Sequence, residues 1–269
     1  MRLSEKKIVI TGAAGLLGMQ HAHAVLKEGG EVARLDINID RLEIFRNSCT
    51  SNEQDRIHNY NCDITNENQL RSVANQICRD MGPPTGLVNN AAINPAVEAG
   101  IKNFTRLENL SVESWNRELK VGLTGAMLCS KIFGTIMVEN LIAGSLVHIA
   151  SDHGIIAPNQ NLYSVEGVDP KNQPVKPITY SVVKHGIIGL SRYLSTYWNS
   201  YGIRSNSICP GGVKNNQNSE FLERFNKLVP LGRLAEPEEY RGALVFLLSD
   251  ESSYMTGSNL VIDGGRSVW

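Results

Sequence analysis

Seven short runs rich in apolar and β-branched residues recur along the chain: KIVIT, EVARLDI, RIHNYNCDI, TGLVNNAA, GSLVHIAS, GIRSNSICPGG and NLVIDGG. Helical patterns separate most of them. Strands this short and apolar are buried on both faces, and the intervening helices cover them. A helical crossover between parallel neighbours is right-handed. The order therefore predicts one α/β domain over residues 1–269, a doubly wound parallel sheet with helices on both faces. The expected helices are LLGMQHAHAVLKEGG, INIDRLEIFRNSCTSN, NENQLRSVANQICRDMG, a long one from Val112 to about Glu139, one carrying ITYSVVKHGIIGLSRYL, and PEEYRGALVFLLSD. Two stretches break the rhythm, 158–177 and 212–230. Irregular segments of that length in a compact domain are more often functional loops than accidents.

The first strand runs straight into TGAAGLLG, with Gly12, Gly15 and Gly18 around Leu17 as the first helix opens. Such a turn lets backbone approach a pyrophosphate, and a helix N-terminus offers free N–H groups and a positive dipole. A plain tight turn would use the same glycines, but the strand–turn–helix setting favours a dinucleotide. Asp36 ends the second strand 18 residues beyond Gly18, close to the spacing of about 20 for the acid that binds a ribose diol. Ile37 follows it, so no basic side chain waits for a 2′-phosphate. NAD is expected over NADP. The alternative role for Asp36 is a turn or helix cap.

Tyr180 and Lys184 stand four apart in a helical segment, so they project from nearly one face. A phenol is a poor base at neutral pH, and a neighbouring ammonium favours its ionised form. Alone, the pair also fits an ordinary packing contact on a helix. Ser151 lies at the end of the strand SLVHIAS, where open α/β sheets place their ligands.

Taken in order, TGAAGLLG, CDI at 62–64, NNAA at 89–92, Ser151, YSVVK at 180–184 and PGG at 210–212 resemble a short-chain dehydrogenase/reductase over nearly the whole chain. The resemblance implies a Rossmann-type fold and an NAD-dependent exchange of hydride between nicotinamide and a secondary alcohol or ketone. Ser151, Tyr180 and Lys184 would be catalytic: Tyr180 exchanges the proton, Ser151 orients the substrate oxygen, and Lys184 assists the phenol and the nicotinamide ribose. Asp63 and Ile64 would border the adenine, Asn90, Ala91 and Ala92 the adenosine ribose, and Pro210, Gly211, Gly212 and Val213 the nicotinamide.

Two departures from that family stand out. Gly122 occupies, in KVGLTG, the place where an asparagine often opens a helix carbonyl to a proton-relaying water. The segment between Ser151 and Tyr180 is also longer than usual, an insert at about 154–177 stiffened by Pro158, Pro170, Pro174 and Pro177. Its Asn159, Gln160, Asn161, Tyr163 and Glu166 suit a hydroxyl-rich ligand; packing or oligomer contacts are the other use. Substrate contacts are expected from Ser151, His153, Tyr163 and Tyr180, with Asp152 beside them, although His153 also fits an idle loop histidine. SDHGIIAP, the insert and CPGGVKNNQNSEFLERFNKLVP are similar to oxidoreductases of flagellin and surface-glycan nonulosonic-acid loci. That likeness implies a sugar or sugar-nucleotide substrate. A non-sugar polyol or cyclic alcohol is the alternative, and a nucleotide sensor without turnover is a third, for which Gly122 is the argument.

The net charge of −1 argues against a nucleic-acid or anionic-membrane partner. Five scattered cysteines without a CxxC pair argue against zinc and a disulfide framework, no metal set is visible, and a reducing cytoplasm is expected. No signal peptide or stretch near about 20 apolar residues is evident. By the family resemblance, the helices at 112–139 and 178–200 would pair across a two-fold axis into a homodimer or homotetramer; the aromatic Trp269 would either dock on a neighbour or fray.

Overall fold

The ends of seven parallel strands decide where this chain can work. In the computed structural model, which describes residues 1–94, 97 and 105–268, β1 (Lys7–Thr11) pairs in parallel with β2 (Glu31–Asp36) and with β4 (Gly86–Asn89). β3 (Ile57–Asn61) lies outside β2, and β5 (Ser145–Ile149), β6 (Arg204–Pro210) and β7 (Asn259–Ile262) follow β4, giving the order β3-β2-β1-β4-β5-β6-β7. Strand order reverses between β1 and β4. A crevice at the carboxyl ends there is the ligand position of open α/β sheets. All seven expected strands are present.

Alternation along each strand divides the core. Ile8 and Ile10 face α1 (Leu16–Lys27) and α9 (Arg241–Leu248), whereas Val9 faces α4 (Glu67–Asp80) and α6 (Gly125–Glu139). On α4 the buried Leu70, Val73, Ala74 and Ile77 repeat at helical spacing. That helix starts where Asn66 accepts a hydrogen bond from the Gln69 N–H at 3.1 Å. α7 (Ile178–Tyr197) lies along the same layer, with Leu194 and the following Trp198 in its core.

Three helical expectations needed correction. The segment after β2 divides into α2 (Ile39–Asn47) and a short α3 (Ser51–Gln54), because a capping box between Thr50 and Glu53 restarts the helix. The irregular stretch at 212–230 contains α8 (Ser219–Asn226), capped by Asn218 on the Phe221 N–H at 2.8 Å. The long middle helix is broken: α5 (Val112–Leu119) passes through a π-helical turn, Lys120–Thr124, into α6. Gly122 sits inside that turn against α7; a Cβ there would lie 2.5 Å from Val183 Cγ1. Taken together, Val112–Glu139 does reach the length and apolarity of a membrane span, contrary to the sequence expectation, but 56% of its most apolar portion is buried inside the fold. The five cysteines are all free. Trp269 lies outside the described residues.

Candidate active site

A cleft of about 1520 Å³ opens along the carboxyl ends of the strands. Its walls include Gly12, Gly15, Leu17, Asp36, Ile37, Asp63, Ile64 and Asn90–Ala92 at one end and Ser151, His153, Tyr163, Tyr180, Lys184 and Pro210–Val213 at the other. Gly18 is the exception among the residues expected there. It packs behind the turn, where a Cβ would come 2.2 Å from the Gly12 carbonyl oxygen, so it serves helix–turn packing rather than the cleft wall.

The glycine turn is held by its surroundings. Gly12 has φ +60°, and a Cβ there would lie 2.7 Å from Ala91 Cα, so only glycine fits. The Asn90 amide donates to the carbonyls of Thr11 at 3.1 Å and Gly12 at 2.9 Å; its side chain therefore fixes the turn. From below, the buried Arg34 of β2 donates to the Ala13 carbonyl at 3.1 Å and to the Leu42 carbonyl at 2.8 Å. Burial lowers this guanidinium to about 10, still charged at neutral pH. α1 begins at Gly15 with no side-chain cap and no acid in its first turn, which leaves its N–H groups for an anion. Asp36 accepts the N–H groups of Ala14 and Asn38, both at 3.0 Å. Each carboxylate oxygen keeps a second lone pair for a hydroxyl. Bare backbone, an uncapped helix end and a strand-end carboxylate fit a dinucleotide.

At the other end, Lys184 is buried and donates to the Ile149 carbonyl at 2.7 Å. Its Nζ is 5.6 Å from the Tyr180 ring centre. Burial, then the charge of Lys176, lowers Lys184 to about 8. The Tyr180 phenol is raised, first by burial; a hydrogen bond with Ser151 opposes this and the Asp152 carboxylate adds to it. The Ser151 hydroxyl donates to Asp152 Oδ1 at 2.7 Å and accepts from the His153 N–H at 3.2 Å. Arg266 closes on Asp152 Oδ2, an ion pair with both side chains almost wholly buried, and reaches His153 Nε2 at 3.2 Å. A guanidinium can only donate, so Nε2 accepts and the proton of His153 rests on Nδ1. Burial lowers His153 to about 4. Its ring meets the Tyr180 ring edge-on at 5.9 Å.

The insert forms a wall. Leu162 packs with Phe225, Val229 and Leu234, and Tyr163 lies 5.8 Å from Phe221 of α8. Burial raises the Tyr163 phenol to about 12. Asn159, Gln160, Asn161 and Glu166 do not line the cleft. Asn159 and Gln160 instead bond backbone within the insert, to the N–H groups of Asn161 and Lys176.

Residues 6–165 match the family model described as short chain dehydrogenase, and residues 171–267 match one described as Enoyl-(Acyl carrier protein) reductase. The chain belongs to the short-chain dehydrogenase/reductase family. It is 28% identical over 272 residues to the D-threitol dehydrogenase of Mycolicibacterium smegmatis, covering 99% of this chain and 95% of the relative. It is 31% identical over 270 residues to the 2,5-dichloro-2,5-cyclohexadiene-1,4-diol dehydrogenase of Sphingobium indicum, covering 98% and 97%. A short chain dehydrogenase of Leptospira borgpetersenii, crystallised with bound NAD+, superposes with a TM-score of 0.85 at 29% identity, covering 99% of this chain and 94% of that one.

Within this short-chain dehydrogenase/reductase, several cleft residues carried no sequence signal. Arg266 comes from a 3-10 turn near the C-terminus, 114 residues from Asp152. Arg224 donates from α8 to the Ser164 carbonyl. Lys176 had one available clue: it stands four residues before Tyr180 in a segment leading into its helix.

Proposed function

We propose that this chain is an NAD-dependent oxidoreductase that interconverts a secondary alcohol and its ketone on a small polyol or cyclic alcohol. The observation that carries the reading is the meeting of Ser151, Tyr180 and Lys184 at one end of a cleft whose other end holds the glycine turn and Asp36. Gly12, Gly15, Leu17, Asp36, Asp63, Ile64 and Ala91 would hold the dinucleotide, and Pro210–Val213 its nicotinamide side. When bound, the nicotinamide supplies the hydride acceptor for an alcohol or the donor for a ketone.

Tyr180 holds the proton that leaves or joins the substrate oxygen. Burial raises its affinity for that proton and keeps it on the phenol; the ammonium groups of Lys184 and Lys176 beside its ring act against this and favour the phenolate. Ser151 places its oxygen next to the phenol, and the insert shields this end from water.

NAD is preferred in this reading because Asp36 would repel a 2′-phosphate and Ile37, 74% exposed, offers it nothing. The relatives' named substrates are free polyols and cyclic diols, which favours those classes over a sugar nucleotide. Five free thiols fit a reducing, cytoplasmic setting. A panel of polyols, cyclic diols and sugar nucleotides, each offered with NAD and NADP and followed by nicotinamide absorbance, tests the proposal. Cofactor binding without turnover across the panel would return the chain to the nucleotide-sensor reading.

A further inference from the structure

Lys176 is the only charged side chain of the insert that lines the cleft. Its Nζ stands 4.0 Å from the centre of the Tyr180 ring and donates to Asn94 Oδ1 at 2.6 Å. The acids nearest to it in charge, Asp152 and Glu118, are engaged elsewhere: Asp152 is closed on by Arg266 and Glu118 accepts from Thr179. Three other cations of this end are committed. Lys184 is on the Ile149 carbonyl, Arg266 on Asp152, and Arg224 on Ser164 with Glu220 at 4.0 Å. Lys176 is thus a half-buried ammonium beside the reacting phenol, with no carboxylate at ion-pair distance among the described residues.

We propose that the substrate carries a carboxylate a few bonds from its reacting carbinol and that Lys176 binds it. The proposal rests on the oxidoreductase reading for the statement that the carbinol reacts at Tyr180. Three N–H groups belong to the ammonium; one is on Asn94, and the remaining two face the two oxygens of a carboxylate. A neutral polyol would leave the ammonium facing no carboxylate among the described residues, in a cleft where burial already lowers Lys176 to about 8. A hydroxy acid supplies the missing countercharge through a charge-assisted hydrogen bond, roughly twice as strong as a neutral one.

Threitol and threonate make a matched pair of probes, since they share a four-carbon hydroxylated skeleton and differ by one terminal carboxylate. Calorimetric titration of the whole protein, with and without NAD, gives both dissociation constants at neutral pH. The expected result is threonate binding at least about tenfold tighter than threitol, a ratio that collapses toward one in Lys176→Met and in Lys176→Gln and is partly kept in Lys176→Arg. Threonate binding no tighter than threitol, including no measurable binding of threonate, overturns the proposal. So does a preference that survives in both neutral variants. Turnover separates this outcome from the fate of the oxidoreductase reading. Threonate held through Lys176 without any hydride exchange across the panel would remove the enzyme reading and leave the anion site standing. Turnover of threitol with no preference for threonate would do the reverse.

Discussion

The Ser151 hydroxyl donates to the carboxylate of its own neighbour, Asp152, with 2.7 Å between Oγ and Oδ1. A serine has one proton to give. In this arrangement its proton is spent on Asp152, and donating to a phenolate or a ketone requires the hydroxyl to turn away from that carboxylate. Arg266 holds the carboxylate in place. Removing one member of a buried ion pair leaves an uncompensated charge and costs about 3–5 kcal/mol. Arg266→Met and Asp152→Ala should each lower the unfolding free energy by about that much. The double variant should lose clearly less than the sum. Urea unfolding of the three proteins checks this, and additive losses would show that the pair is not coupled.

The proton assignment predicts a split between two variants. Tyr180→Phe keeps the ring and removes the exchangeable proton, so turnover should fall by about 10²–10⁴ while NAD binding persists. Lys184→Met should lose turnover and also weaken NAD binding, since its proposed role includes the nicotinamide ribose. Steady-state rates with a substrate found in the panel, together with cofactor titration, decide the matter. Near-normal rates in Tyr180→Phe would remove the mechanism.

Two histidines besides His153 make the fold sensitive to acid. Burial lowers His21 to about 3 and His148 to about 4. His148 accepts from the Asn89 amide at 3.2 Å on one ring nitrogen and bonds Ser205 at 3.1 Å through the other, so a second proton would meet an N–H donor. His21 has no hydrogen-bond partner on either nitrogen among the described residues. Both folded values lie below the unfolded value of about 6.5, so the unfolded chain binds more protons between about pH 6.5 and 4. Stability should therefore be complete above that window and fall as pH drops through it. His21→Leu, which deletes two unsatisfied polar atoms at similar volume, should raise stability at pH 7 and flatten the slope. A steeper or unchanged slope in denaturant midpoints from pH 7 to 4.5 would count against it.

Much of this was readable before any coordinates. Seven apolar runs gave seven strands because burial on both faces leaves an uninterrupted signal. The glycine turn, Asp36 and the Ser151, Tyr180 and Lys184 set fall on one cleft because strand ends and helix spacing place them there. What escaped the sequence depends on distant partners. Arg266 meets Asp152 only after the C-terminal segment packs beneath the cleft. α8 is only eight residues long and lies between irregular stretches. The role of Gly18 turns on a backbone oxygen 2.2 Å from a Cβ it does not have, and spacing alone cannot distinguish such packing from ligand contact. The polar residues of the insert have the chemistry of ligand contacts, yet local backbone bonds claim Asn159 and Gln160 and leave Lys176 as the group turned inward.

We expect the assembly to use α7. Tyr193 and Tyr197 stack at 5.5 Å on its surface, 62% and 58% exposed, with Ile178 at 39%. An apolar surface of that kind suits a second copy across a two-fold axis. Light scattering behind size exclusion should report a dimer or tetramer, and Tyr193→Glu with Tyr197→Glu should shift it toward a smaller species. A clean monomer of the parent at micromolar concentration would dismiss the expectation.

Gly122 offers the sharpest test of how the middle helix is shaped. In an ordinary helix interior, replacing glycine by alanine gains about 1 kcal/mol. Here the π-helical turn at Lys120–Thr124 brings its backbone against α7, and the new Cβ would stand 2.5 Å from Val183 Cγ1. Val183 is buried and β-branched, so it has little freedom to rotate away. Overpacking of this kind costs about 1–3 kcal/mol, which is enough to reverse the sign. Gly122→Ala should therefore destabilise the protein. Val183→Ala alone should also cost stability, through the cavity it leaves, but the two together should be less damaging than their sum because each removes what makes the other harmful. Placing asparagine at 122 without trimming Val183 should be worse than alanine, since more atoms enter the same gap. The measurement is a double-mutant cycle by urea unfolding, with hydrogen exchange across residues 118–126 as a local readout. A stabilising Gly122→Ala, or a cycle with no coupling to Val183, would mean that contact with α7 does not set the turn.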